Sequence, residues 1–307
     1  MPPHVAITGA TGFIGSAVLK ELLLRGAQVT VLLRPESDTA RLQAMEGFET
    51  QTYSDLLDQI TIDRLRASKP DVFIHCGWRG VGGHERNETF QVTSNVPATI
   101  DAVQLAAAAG CRQWIGLGSQ AEYGNLNRRI SEADPLLPTT VYGKAKLAAG
   151  VAALALCETR KIAGVWLRVF STYGPGDAPY WFIPYVIQEY LASRAPNLTK
   201  CDQLWDYLYV GDAARAVAAI ANGVTAGVFN LGSGFARPLK EIIETIRMQL
   251  APRLAPAYGA LPYRPDQIMH LEADISRLQA ATAWHPTMNL ADGIRTTVAF
   301  ERTRTLF

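Results

Sequence analysis

Glycines at positions 9, 12 and 15, set directly behind the apolar run Val5–Ile7, constrain this chain more than any other feature. A helical pattern, Phe13 to Arg25, follows without a gap, so strand, glycine turn and helix are fused. Gly9 permits a tight turn, Gly12 lets backbone approach a bound group, and Gly15 lets the helix pack closely on the strand. A dinucleotide pyrophosphate requires this local pattern, because its oxygens then meet the positive end of the helix. An ordinary turn before a helix can show the same letters, so the triplet needs support from further along.

Strand patterns recur at 4–8, 28–33, 48–53, 71–76, 113–118 and 164–169, with helical patterns between most of them. That alternation predicts an α/β fold: a Rossmann-type, doubly wound parallel sheet with helices on both faces. Ala102–Ala109 reads as a tightly packed helix, since Ala has the highest helix propensity and fills little space. Beyond Gly174-Pro175-Gly176 aromatics and prolines become frequent. Helices are predicted there at 181–194, 212–222, 238–250 and 290–304, with Asp212 and Asn289 as N-caps. The expected division is a dinucleotide-binding domain over 1–171, to which 208–231 returns, and a smaller mixed substrate lobe over 172–307. Such a lobe would close over the carboxyl ends of the strands, where ligands of open α/β sheets bind.

Charge narrows the partners. Twenty-nine basic and 28 acidic residues leave a net charge of +1, with no field that favours nucleic acid or an anionic membrane. Four cysteines (76, 111, 157 and 201) lack metal-ligand spacing and read as reduced thiols. No apolar run approaches membrane-spanning length, and the expectation is a soluble, cytoplasmic protein with no metal.

The second strand pattern, Gln28–Leu33, ends without the acid that would hold a ribose 2′-hydroxyl, and Arg34 stands beside the gap. A guanidinium suits a 2′-phosphate, which favours NADP(H) over NAD(H). Asp55-Leu56 follows the third strand and reads from its residues as a solvated loop.

Tyr142-Gly-Lys-Ala-Lys146 places a phenol and an ammonium on one helical face. A nearby ammonium stabilises tyrosinate, so such a phenol can exchange protons near neutrality. Upstream, Ser119 ends a predicted buried strand, positioned to hydrogen-bond the oxygen whose proton Tyr142 handles.

With these residues in this order, the whole chain resembles the extended short-chain dehydrogenase/reductases of the NAD-dependent epimerase/dehydratase family, which act mainly on nucleotide-diphosphate sugars. The GxxGxxG spacing, with Thr8 and the Ala10-Thr11 insert, carries part of the resemblance. Asp71–Gly77, Asn95, Leu167–Gly176, Asp206–Asp212, Phe229–Gly234 and Tyr263-Arg-Pro265 carry the rest. It implies that Ser119, Tyr142 and Lys146 are catalytic. It also implies that Gly9, Thr11, Gly12, Phe13, Ile14, Gly15, Arg34, Asp55, Leu56, Cys76, Gly77 and Val169 join Tyr142 and Lys146 around the cofactor. A homodimer through the Tyr-Lys helix is a further expectation, although packing within the monomer explains its alanines equally well.

The family's dehydratases carry Thr-Asp-Glu where this chain has Ser119, Gln120 and Ala121, and Ala cannot move a proton. Glu122, one place later, reads as a residue that orients the loop. Reduction of a nucleotide-diphosphate 4-keto(-6-deoxy) sugar by NADPH is therefore expected. A 4-epimerase is the alternative, and a cofactor-sensing regulator or a reductase of non-nucleotide carbonyls ranks below it. Ser171 and Trp205 depart from the family's Asn and Arg. Trp78, Gln120, Ser171 and Arg264 are the candidate substrate residues, with Arg264 reading equally as a diphosphate ligand and as a solvated loop residue. Trp181 and Tyr185 read as base-stacking or buried lobe aromatics.

Overall fold

The computed structural model describes residues 2–304. Seven strands form one parallel sheet: β1 (His4–Thr8), β2 (Gln28–Leu33), β3 (Glu49–Thr52), β4 (Val72–His75), β5 (Gln113–Ser119), β7 (Ala163–Val169) and β11 (Gly227–Leu231). Each end of the six predicted strands falls within one residue of its expected place. β1, β4 and β5 are buried along their whole length, as strands covered on both faces must be. Across the sheet the order is β11-β7-β5-β4-β1-β2-β3, so the chain reverses direction between β1 and β4. That switch point opens a crevice at the carboxyl ends of the strands.

Two apolar layers flank the sheet. On one face lie α1 (Phe13–Leu24) and α7 (Val210–Asn222), packed on each other through residues such as Val18, Leu22 and Val217. On the other lie α2 (Gln59–Ser68), α4 (Asn95–Ala109) and α5 (Val141–Arg160), with Leu65, Ala102, Ala106, Ala149 and Ala153 buried. The Ala-rich stretch is the tightly packed helix its composition predicts: α4 and α5 approach closely because so many contacts are methyl groups. A short α3 (Phe90–Thr93) precedes α4.

The smaller part buries Ile183, Ile187, Ile243, Ile246 and Ile294 among α6 (Phe182–Leu191), α8 (Leu239–Leu250) and α10 (Leu290–Arg304). Its mixed four-stranded sheet runs β12 (Arg237–Pro238), β9 (Leu204–Trp205), β13 (His270–Ala273), β6 (Arg128–Ile130). β8 (Ser171–Tyr173) and β10 (Tyr207–Tyr209) form a separate parallel pair, and α9 (Ser276–Thr282) packs by β11. β6 comes from the first half of the chain, and three residues are too few to show alternation in sequence.

Asp206 joins the two parts. Its fully buried carboxylate accepts the backbone N–H groups of Ser233 at 2.7 Å, Gly234 at 3.1 Å and Ala273 at 3.0 Å. Asp212 has another role than the N-cap expected of it. α7 begins two residues earlier, and Asp212 turns inward to accept from Thr287 N (2.9 Å) and Met288 N (3.0 Å), paired with Arg215. Tertiary partners outweighed the local capping preference. Asn289 caps α10 as expected, its side-chain oxygen accepting from Asp292 N at 2.9 Å.

The glycine turn is packed without slack. A methyl on Gly15 would overlap the Gly9 carbonyl, and one on Gly9, whose φ is +73°, would lie 2.5 Å from the Cys76–Gly77 peptide. Gly15→Ala is expected to cost about 1–3 kcal/mol, read as a lower urea midpoint. Gly83→Ala, where nothing lies within 4 Å of the added methyl, should leave that midpoint unchanged.

Candidate active site

A dinucleotide fits the glycine turn on two observations. No side chain caps α1, so the N–H groups of its first turn face the end of β1 without a side-chain acceptor. A methyl on Gly12 would meet only the Gly9 carbonyl, at 3.3 Å, so the outward side of the turn is open. Thr11, Phe13 and Ile14 frame that opening, half-buried. Arg41, which sequence reasoning missed, reaches across it, donating to Thr11 O at 3.2 Å and Gly176 O at 2.9 Å.

Other residues expected around a cofactor fall along the same edge. Arg34 directly follows β2, is exposed, and pairs with Glu36 at 3.4 Å. Asp55 is spent on its own turn, its carboxylate accepting from Leu57 N at 2.8 Å, while Leu56 is buried. Cys76 and Gly77 line the far side of Gly9, and burial pushes the Cys76 thiol up to about 12, which leaves it protonated. Val169 ends β7, buried.

The three catalytic candidates meet beside this edge. Ser119 ends β5 and Tyr142 sits in the first turn of α5, which Thr140 starts by accepting from Gly143 N at 3.1 Å. The Ser119 hydroxyl, which accepts from Ala121 N at 3.2 Å, lies near enough to the Tyr142 phenol to influence its ionisation. One turn on, Lys146 is buried and its Nζ donates to Leu117 O at 2.6 Å. Burial pulls this ammonium from 10.5 down to about 7, against the opposing pull of Glu122 and Cys76. Burial also raises the Tyr142 phenol, while the nearby Ser119 hydroxyl and the Arg86 charge lower it and Glu122 raises it.

Trp78 stands directly over the lysine, Nζ lying 3.7 Å from its ring centre, and meets Tyr142 edge-on at 6.0 Å. A desolvated cation on an indole face is worth about 2 kcal/mol. The indole is fixed in turn: its Nε1 donates to Gln91 Oε1 at 2.8 Å, and Asn95 donates to the same oxygen at 3.1 Å.

Glu122 orients the loop as expected, and more firmly than sequence suggests. Fully buried, it accepts from Ser119 N at 2.8 Å, Trp166 Nε1 at 3.0 Å and Arg168 Nε at 2.8 Å. Arg168 also donates to Tyr123 Oη at 3.0 Å, and Tyr123 donates to Asn230 at 2.7 Å. The turn carrying Ser119 is thereby tied to β7 and β11.

The remaining substrate candidates scatter. Gln120 follows Ser119 with its buried side-chain oxygen unpartnered among the described residues. Ser171 accepts from Trp205 Nε1 at 2.8 Å, so the two departures from the family pattern satisfy each other. Arg264 lies exposed on a loop. Tyr185 bonds the Asn197 backbone, whereas Trp181 faces Arg86 across the mouth of the site. Arg86 also escaped sequence reasoning, because the stretch after β4 has no periodicity to place it.

Two outcomes follow. Arg168→Met leaves Glu122 charged and unpaired, which should cost about 3–5 kcal/mol in denaturant titration. Lys146 binds a proton more weakly folded than unfolded, so its contribution to stability grows as pH rises from about 7 toward 10.5. Wild type should therefore gain on Lys146→Met across that window when urea midpoints are compared, and parallel curves would contradict the assignment.

The model of the family described as "NAD dependent epimerase/dehydratase family" matches residues 5–232. A dTDP-glucose 4,6-dehydratase from Streptomyces griseus is 25% identical over 98% of this chain and 94% of its own. A dTDP-6-deoxy-L-talose 4-dehydrogenase (NAD(P)(+)) from Kitasatospora kifunensis is 27% identical over 96% and 94%. Among solved structures, MoeE5 in complex with UDP-glucuronic acid and NAD superposes with a TM-score of 0.82 at 27% identity, covering 98% and 99% of the two chains. The seven-stranded sheet, the glycine turn and the family match agree, and the chain belongs to the NAD-dependent epimerase/dehydratase family.

Proposed function

We propose that this chain reduces the 4-keto group of a nucleotide-diphosphate 4-keto-6-deoxy sugar, with NADPH as reductant. The observation that carries this reading is the buried Ser119–Tyr142 pair with Lys146 one turn on, beside the open glycine turn. The relative from Kitasatospora kifunensis is named for 4-dehydrogenase chemistry on a 6-deoxy sugar nucleotide, the same conversion written in reverse.

The residues divide the work by their chemistry. The glycine turn and the first turn of α1 would hold the pyrophosphate, and Lys146 the nicotinamide ribose. When bound, the nicotinamide would supply a hydride for C4. Tyr142 gives its proton to the C4 oxygen as charge develops there, which suits a phenol that burial keeps protonated. Ser119 orients that oxygen, and Glu122 holds Ser119 through its backbone N–H. Dehydration would need an acid and a base next to Ser119, where Gln120 and Ala121 supply neither.

Preference for NADPH rests on Arg34 and on the missing acid at the end of β2. A 4-epimerase is the second reading, favoured by one observation: Arg34 is already paired with Glu36. An epimerase returns the hydride to the same substrate and consumes no reductant.

The test follows NADPH absorbance as dTDP- and UDP-linked 4-keto-6-deoxy sugars are added. Oxidation with one of them is expected, and Tyr142→Phe should slow it roughly a hundred- to ten-thousand-fold. No oxidation with any of them would overturn the reductase reading.

A further inference from the structure

Lys146 is drawn away from the phenol it is expected to serve. Its ammonium is committed to Leu117 O and to the Trp78 face, and lies 5.9 Å from the Tyr142 ring centre. Burial also brings it close to neutrality at pH 7, so its charge is only partly present there. A second cation lies nearer the ring. The guanidinium carbon of Arg86 lies 5.0 Å from the Tyr142 ring centre and 5.9 Å from that of Trp181.

The placement of Arg86 is built into the chain. α5 starts with backbone N–H groups that no helix carbonyl can accept, and the Arg86-Asn87 segment takes two of them. Tyr142 N donates to Arg86 O at 2.7 Å, and Val141 N donates to Asn87 Oδ1 at 3.2 Å. Gln91, fully buried, holds the same loop by donating to Glu85 O at 3.1 Å. Arg86 Nε donates to Val81 O at 3.3 Å, and no carboxylate pairs with the guanidinium among the described residues. The loop that completes the helix start therefore delivers an uncompensated positive charge to the ring of the residue in that first turn.

We propose that Arg86 is a positioning residue that stabilises the phenolate of Tyr142, sharing with Lys146 the task usually given to the lysine alone. The groups facing Tyr142 are then two cations, Arg86 and Lys146, one carboxylate, Glu122, and the Ser119 hydroxyl. A guanidinium keeps its charge at every working pH, whereas Lys146 loses its own near 7. Arg86 thus preserves the acidity of the phenol on the alkaline side, where the lysine falls neutral. The proposal deepens the reading of Tyr142 as proton carrier and rests on it.

The test needs neither substrate nor cofactor, so its failure leaves that reading standing. The protein is labelled with 3-fluorotyrosine, whose phenol ionises at lower pH than that of tyrosine, and titrated by fluorine NMR. Tyr142→Phe identifies the Tyr142 signal among the eleven tyrosines. Arg86→Met and Arg86→Gln, made in parallel, should each raise the Tyr142 midpoint by about one pH unit, since an opposite charge at this range is worth that much or more. Arg86→Lys should raise it less. A midpoint that stays in place in both neutral variants, while the other tyrosine signals keep their wild-type shifts, would overturn the proposal.

Discussion

A single buried carboxylate organises the reacting end of this molecule. Glu122 has no access to water, and a charge in that position survives only when its oxygens are met by donors. Three donors meet them: Ser119 N at the start of its own turn, and Trp166 and Arg168 from β7. Through Tyr123 and Asn230 the network continues to β11. Three neighbouring strands of the large sheet are thus locked to the turn that presents the serine.

The same charge shapes the chemistry. Glu122 raises both Tyr142 and Lys146, so it holds a proton on the phenol and a positive charge on the lysine. Burial works with it on the tyrosine and against it on the lysine. The result is a phenol that stays protonated beside a cation poised near neutrality, which is the arrangement a proton donor to a developing alkoxide needs. Trp78 adds a third influence, covering the ammonium with an indole face whose orientation Gln91 and Asn95 determine.

Sequence made most of the large sheet legible because its strands are long apolar runs and its helices are periodic. The glycine turn, Ser119 and the Tyr142–Lys146 pair could be read because each sits at a junction of two such elements. β6 and β12 could not, being too short for any pattern, and Asp212 misled because its cap-like chemistry is used on a distant loop. Arg41 sits in a single 3-10 turn, Ala40–Leu42, and Arg86 just after another, Gly83–Glu85, both too short for any periodicity. Their importance comes from carbonyls and rings far off in sequence, Gly176 for one and Trp181 for the other, and a linear pattern holds no trace of such contacts.

Ser171 and Trp205 show the same limit from the other side. Each alone looks like the loss of a ligand contact, yet together they form a hydrogen bond across β8 and β9. The reductase and epimerase readings part on the use of hydride: a reductant consumed in each cycle, or one recycled within the site. The most direct measurement is to release and quantify the dinucleotide carried by freshly purified protein, before and after dialysis. A reductase should carry far less than one equivalent per chain, lost on dialysis and replaced on adding NADPH. One equivalent of NAD per chain that survives dialysis would contradict that reading and mark an enzyme that returns its hydride.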